Sequence, residues 1–240
     1  MDYLIEDHFS AFLAFLELAQ KRRLKEAVLY PHKHYQVSFL SDFERVEYSE
    51  AEALKQLSWL EDYHPKLLEM LHLAFLSEDH QRFKDLYNFY QHYLEKGSSV
   101  TEDYGHPLVY PVLAMRKKVL REHHKFTGLL RFRPLEKEIY YAAFEPTYDL
   151  VPIIGDHFRQ RLGALSFIIH DKKREKALFH HGGELRQAPL AQDTPLSTME
   201  DDMEDLWVRY HEHISIESRK NLRLQKHFVP KKYWKYLPEF

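Results

Sequence analysis

Through the first 126 residues the apolar positions fall mostly at helical spacing. Phe9, Phe12, Leu13, Leu16 and Ala19 share one face, which predicts a helix over 6–23, with Lys21, Arg22 and Arg23 at the negative pole of its dipole. Residues 28–48 are ambiguous, since Val37–Leu40 and Arg45–Tyr48 both read as short strands. Ser49 followed by Glu52 has the form of a capping box and opens a helix over 50–63, and Pro65 sits in the first turn of another over 65–77. Ser77-Glu78-Asp79 is a further start signal. Phe83, Leu86, Tyr87, Tyr90 and Leu94 then carry a helix to about 96, where Gly97 ends it. Leu108, Val112, Met115, Val119 and His123 mark a last helix of this half, ending near 126, with Pro111 in its opening turn.

The period then changes. Leu129-Leu130-Arg131-Phe132-Arg133 alternates, so a strand there would send Arg131 and Arg133 to one face and Leu130 and Phe132 to the other. Ile139–Phe144 is aromatic and strand-favouring, the charged residues 136–138 occupy the turn, and Glu145-Pro146 closes the hairpin. Asp149–Leu162 reads as a helix with Ile154, Phe158 and Leu162 stacked. Ser166–His170 and Ala177–His180 read as a second hairpin across a charged turn. Two prolines and no periodicity make 186–198 a loop. Leu206, Trp207 and Tyr210 give a helix over 199–214 its inner face. The expected class is α+β: a helical N-terminal region over 1–105, then 106–240 with two β-hairpins around a helix and closing helices.

Composition narrows the chemistry. The chain has no cysteine, which excludes disulfides, thiol nucleophiles and a cysteine-held zinc or iron–sulfur centre in this chain. Seventeen histidines include the pairs His123-His124 and His180-His181, but neighbouring side chains diverge and no HExxH spacing occurs, so no metal site is expected. GxGxxG, GxxxxGK[ST] and GxSxG are also absent, which counts against Rossmann, P-loop and α/β-hydrolase chemistry. The opening MDYLIEDHFS lacks a basic n-region and an apolar run, and a cytoplasmic location is the expectation.

A formal charge of −3 conceals local asymmetry. Residues 116–133 are basic, and 219–236 carry seven lysines and arginines with no acid, just after the acidic run 200–205. Lysine and arginine interleaved with Phe228, Tyr233, Trp234 and Tyr236 fit nucleic-acid contact, cations on phosphates and rings on bases. The same residues fit a terminal helix whose rings dock on the core. Arg131 and Arg133 could hold a phosphate, with His157 and Arg161 one helical turn apart beside it. Glu145 is the best candidate for a positioned carboxylate, as general base or as a hydrogen-bonded structural group.

The motif set resembles a known family. Glu122-x-His124-Lys125-x-x-Gly128-Leu129-Leu130-Arg131-Phe132, Tyr140-Tyr141-Ala142 with Glu145-Pro146, and His157-Phe158-x-x-Arg161 are similar to the signature of a conserved bacterial family associated with DNA metabolism and repair. So are Ile168-Ile169-x-Asp171, Asn221-x-Arg223-Leu224, Pro230-Lys231-Lys232-Tyr233-Trp234 and Leu237-x-Glu239. Members are encoded beside a radical-SAM protein, and some are fused to a uracil-DNA-glycosylase-like domain. The resemblance implies a DNA-binding accessory of repair or modification, with any iron–sulfur cluster and SAM belonging to the radical-SAM partner. Arg131, Arg133, Arg161, Lys231 and Lys232 would then hold phosphates, and Tyr233 and Trp234 would pack on a base or on the partner. Two alternatives stand beside it: an enzyme acting on a base or nucleotide through Glu145 or His157 with His124 nearby, and a protein–protein adaptor for the partner enzyme. The family usually carries an acid after its Glu-Pro; this chain has Thr147 there and Asp149 two places on.

Overall fold

The computed structural model of the chain describes residues 2–32, 42–135, 139–192 and 230–237, with the backbone alone for Lys232. Among the described residues the architecture is α+β, with six α-helices and eight strands in two sheets, and helices dominate the N-terminal half. Residues 1–120 and 121–240 form two compact units, the division falling inside a helix. Expectations for Val37–Leu40, the turn at 136–138, the helix at 199–214 and the basic stretch up to residue 229, including Phe228, lie outside the described residues.

In the first unit a short parallel sheet has the order β2-β1-β3, with β1 (Asp2–Ile5) central between β2 (Val28–Pro31) and β3 (Phe43–Arg45). Helix α1 (Phe9–Arg22) is the crossover from β1 to β2; His8 caps it by accepting from the Ala11 N–H at 3.1 Å. The expected helix from residue 6 therefore starts three residues later. β1 was not foreseen because a central parallel strand buried on both faces shows a continuous apolar run, here Tyr3-Leu4-Ile5, and no alternation. Helices α2 (Glu50–Tyr63), α3 (Pro65–Phe75) and α4 (Arg82–Lys96) follow the predicted pattern. Ser49 Oγ accepts from the Glu52 N–H at 3.4 Å, Pro65 opens α3, and Gly97 ends α4 at a φ of 80°. Their inner faces share one aromatic core with α1, in which Phe83 meets Phe12 and Phe75 edge to face and Tyr87 and Tyr90 are fully buried.

Helix α5 (Tyr110–Leu129) runs three residues past its predicted end. The Leu130 N–H still donates to the Phe126 carbonyl at 3.1 Å, so Leu129 and Leu130 complete a helical turn. The alternating strand expected at 129–133 is thereby corrected: only Arg133 belongs to β4 (Arg133–Leu135), and Arg131 precedes it. β4 pairs antiparallel with β5 (Ile139–Phe144), which keeps the expected hairpin. α6 (Val151–Leu162) then crosses to β6 (Ser166–Asp171), which lies parallel to β5, and β7 (Lys176–His181) pairs antiparallel with β6.

The predicted loop at 186–198 is also corrected at its start, because β8 (Glu184–Pro189) adds a fifth strand in the order β4-β5-β6-β7-β8. Gly182 and Gly183, at φ 59° and 85°, make the two-residue turn into it. Both central residues of that turn type need positive φ, which glycine adopts without penalty. Pro189 is accommodated because it ends an edge strand. Gly155 lets α6 approach the sheet: a Cβ there would meet Leu178 Cδ2 at 2.4 Å and Leu185 Cδ1 at 3.1 Å. Among the described residues no helix is long and apolar enough to cross a membrane.

Candidate functional site

β5 and β6, the parallel pair, end at the same edge of the sheet, with Phe144 opposite Asp171. Loops leaving the carboxyl ends of parallel strands are where α/β sheets gather ligand-binding groups. Three segments meet at this edge: 145–150 after β5, 172–175 after β6, and a 3-10 helix, Lys231–Tyr236.

The carboxylate at the centre is Glu122 on α5, 7% exposed. It accepts from the Thr147 N–H at 3.0 Å, the Tyr148 N–H at 2.9 Å and the Tyr233 hydroxyl at 2.6 Å. Burial pushes its pKa up, but the bonds from Tyr233, Thr147 and Tyr148 outweigh it, and the pKa lies below the usual carboxylate value. Burial and the Glu122 bond raise that of the Tyr233 phenol, which stays a donor. One side chain thus ties the loop after β5 to the C-terminal segment. Tyr233 and Leu237 are both 3% exposed, and the Tyr233 ring meets Phe126 at 4.8 Å.

Glu145 lies at the rim. Its Oε1 accepts from Lys235 Nζ at 2.7 Å and from the Tyr236 hydroxyl at 2.6 Å. Those two bonds, with the lesser effect of the charges of Lys235 and Lys172, hold its pKa below the ordinary value against the opposing effect of burial. A general base working near neutrality needs the opposite shift. The next carbonyls take cationic donors: Thr147 O accepts from Lys173 Nζ at 3.2 Å and Arg174 Nη2 at 2.8 Å, and Pro146 O from Arg174 Nη1 at 3.3 Å. Asp171, fully buried, accepts from Arg174 Nη1 at 2.7 Å and from the N–H groups of Lys173 and Arg174. Burial nevertheless raises its pKa. Asp149, the acid two places after Thr147, is paired with Lys176 at 2.7 Å.

Beneath the edge, Tyr141 and His170 form a buried pair at 2.9 Å, and His170 Nε2 lies 3.0 Å from the Leu190 carbonyl. The carbonyl requires Nε2 to carry the proton, so neutral His170 accepts from the Tyr141 hydroxyl through Nδ1. Burial lowers the His170 pKa and favours this neutral form.

The residues singled out by sequence divide between this edge and elsewhere. Glu145, Lys231, Tyr233 and Trp234 belong to it, as does the backbone of Lys232, whose side chain lies outside the described residues. Arg133 is exposed, with its guanidinium 5.5 Å from the centre of the Tyr141 ring. Arg131 turns back onto α5 and donates to the Gly128 carbonyl at 2.7 Å, so the two arginines do not share a strand face. His124 is exposed on α5, and His157 and Arg161 are exposed on α6, where the His157 ring meets Phe158 at 4.9 Å. Sequence reasoning missed the parts played by Glu122, Lys173, Arg174 and Asp171. Glu122 carried a signal, being an acid on the apolar side of a helix between Val119 and Phe126.

Residues 80–239 match the family model described as a domain of unknown function, DUF4130. The chain belongs to the DUF4130 family. No curated protein matches it. The DUF4130 region contains every residue of the edge described above, from Glu122 to Tyr236. It begins at the approach to α4, so it takes in part of the first unit as well.

Proposed function

We propose that this DUF4130 protein binds DNA through the carboxyl edge of the β5–β6 pair, as an accessory of repair or modification acting with a radical-SAM partner. The observation that carries the binding is the meeting of cationic side chains from two distant stretches on one short loop. Lys173 and Arg174 reach the Thr147 carbonyl while Lys235 reaches the adjoining Glu145, with Lys172 close enough to lower that carboxylate's pKa. Cations held at fixed positions neutralise backbone phosphates and release counterions, which supplies affinity without reading sequence. The repair context and the partner rest on the motif resemblance. An open depression in the first unit is a poorer candidate, since Asp7, Glu78 and Asp79 line it alongside Arg82.

Labelled single- and double-stranded DNA titrated with the full chain at 50 mM salt tests the reading. Micromolar or tighter binding is expected, and charge reversal of Lys172 and Lys173 should abolish it while leaving the melting temperature within a few degrees. No binding to either DNA at that salt rejects the reading. Binding unchanged by charge reversal places the DNA elsewhere on the chain and rejects this edge.

A further inference from the structure

The deepest anchors of the C-terminal segment do not include Glu145. Tyr233 and Leu237 are buried, and Tyr233 is bound to Glu122, so residues 230–237 are held in place without the rim contact. The Glu145–Lys235 pair is, by contrast, half open to solvent, with side-chain exposures of 31% and 56%. Exposed ion pairs of this kind contribute little to stability and exchange readily. What the pair does have is geometry. An ammonium and a phenol hydroxyl, neighbours on one 3-10 turn, converge on a single carboxylate oxygen at 2.7 and 2.6 Å, and the Lys172 N–H donates to the Phe144 carbonyl at 3.1 Å, which sets that lysine beside Glu145. The Lys235 Nζ also sits 5.0 Å from the centre of the Tyr236 ring, which fixes the two donors relative to each other. Two donors aimed at one oxyanion, with a second cation at hand, form a cradle for a phosphate oxygen as well as for a carboxylate.

We propose that Lys235 Nζ, Tyr236 Oη and Lys172 form a phosphate site that the chain's own Glu145 fills until a phosphate takes the carboxylate's place. The proposal rests on the DNA-binding reading and adds to it a named subsite and a built-in competitor. Glu145 is then neither a base nor a pin: it suppresses weak polyanion binding and is displaced by a phosphate that other contacts hold nearby. The phosphate belongs either to a diester within a strand or to a terminal monoester, and the two share the same recognition chemistry.

The test compares wild type, Glu145→Gln, Lys235→Gln and the double variant in anisotropy titrations of one oligonucleotide carrying either a 5′-phosphate or a 5′-hydroxyl. Removing the competing negative charge should tighten Glu145→Gln roughly five- to tenfold. Lys235→Gln should weaken binding several-fold, and the double variant should lose the gain. Equal tightening for both oligonucleotides assigns the site to a diester; tightening confined to the phosphorylated one assigns it to a terminal monoester. Wild-type binding with Glu145→Gln unchanged or weaker overturns the displacement idea alone. Unchanged affinity in Lys235→Gln overturns the cradle, and does so even where Glu145→Gln fails to fold. Absence of binding by wild type and every variant overturns the DNA-binding reading itself.

Discussion

At the scale of single residues, Glu122 and Glu145 show how one chemical group is put to two uses by its surroundings. Both accept from a tyrosine hydroxyl of the C-terminal 3-10 turn, at 2.6 Å in each case. Glu122 is buried with two backbone N–H donors besides, while Glu145 is part exposed and shares its second donor with solvent. Removing a partner from a buried, charge-assisted set leaves donors unmet, so Glu122→Gln should cost about 2 kcal/mol at neutral pH. The pH dependence has a definite sign. The folded-state pKa of Glu122 lies below 4.5, so its stabilisation is complete above about 4.5 and is lost as pH falls through the lower folded value. Urea titrations of wild type and Glu122→Gln should therefore differ by a constant amount between pH 7 and 5 and converge below 4.5. A difference that stays constant down to pH 3 would show that the carboxylate's charge is irrelevant to its role.

At the scale of elements, close packing of α6 on the β-sheet is the feature with the clearest single-residue test. Gly155 faces Leu178, which is 3% exposed, and Leu185. Alanine there gains about 1 kcal/mol of helix propensity and loses about 1–3 kcal/mol to overpacking, since the Leu178 methyl at 2.4 Å has to leave its place in a filled core. Gly155→Ala should therefore be neutral to destabilising by roughly 2 kcal/mol in thermal or urea melts. A gain of the full 1 kcal/mol expected from propensity would mean that the helix and sheet stand further apart. The same elements show what a linear sequence can disclose. Helical spacing, the Ser49 cap, Pro65 and Gly97 located α2, α3 and the end of α4, because each signal acts within one or two turns of chain. The segment 129–133 was misleading: Leu130 lies four residues after Phe126 as well as two before Phe132, so it satisfied a helical and an extended period at once. Helix α5 took it, and Phe132 still packs on Phe158 and Phe167 at 5.0 and 5.8 Å. β8 was hidden because prolines downstream outweighed the Gly182-Gly183 turn, although that dipeptide is itself a hairpin signal. The pairing of Glu122 with Thr147, Tyr148 and Tyr233 spans 111 positions along the chain, and no local pattern announces it. Glu145 was picked out by its place after an aromatic strand; its partners were not.

For the whole molecule, the formal charge of −3 bears on how the proposed DNA binding should behave. In the proposed reading a net negative charge supplies no overall attraction to DNA, so the affinity is expected to come from the cations gathered at one edge. Lys172, Lys173, Lys231 and Lys235 are counted as the phosphate contacts there, Lys235 once Glu145 gives way, and Arg174 and Lys176 are set aside because the carboxylates of Asp171 and Asp149 neutralise their charges. Four phosphate contacts correspond to a slope of log affinity against log salt of about −3.6 on duplex and about −2.8 on a single strand. Binding should therefore weaken by roughly two orders of magnitude between 50 and 200 mM salt. Replacing Lys231 with glutamine should flatten the slope by about one contact while leaving any base preference unchanged, because a phosphate contact carries no sequence information. A slope near −8 would demand more cations than this edge holds and would bring in the basic stretch before residue 230. A slope near zero with retained affinity would point instead to ring stacking by Trp234, and a Trp234→Ala variant that then lost binding would establish it.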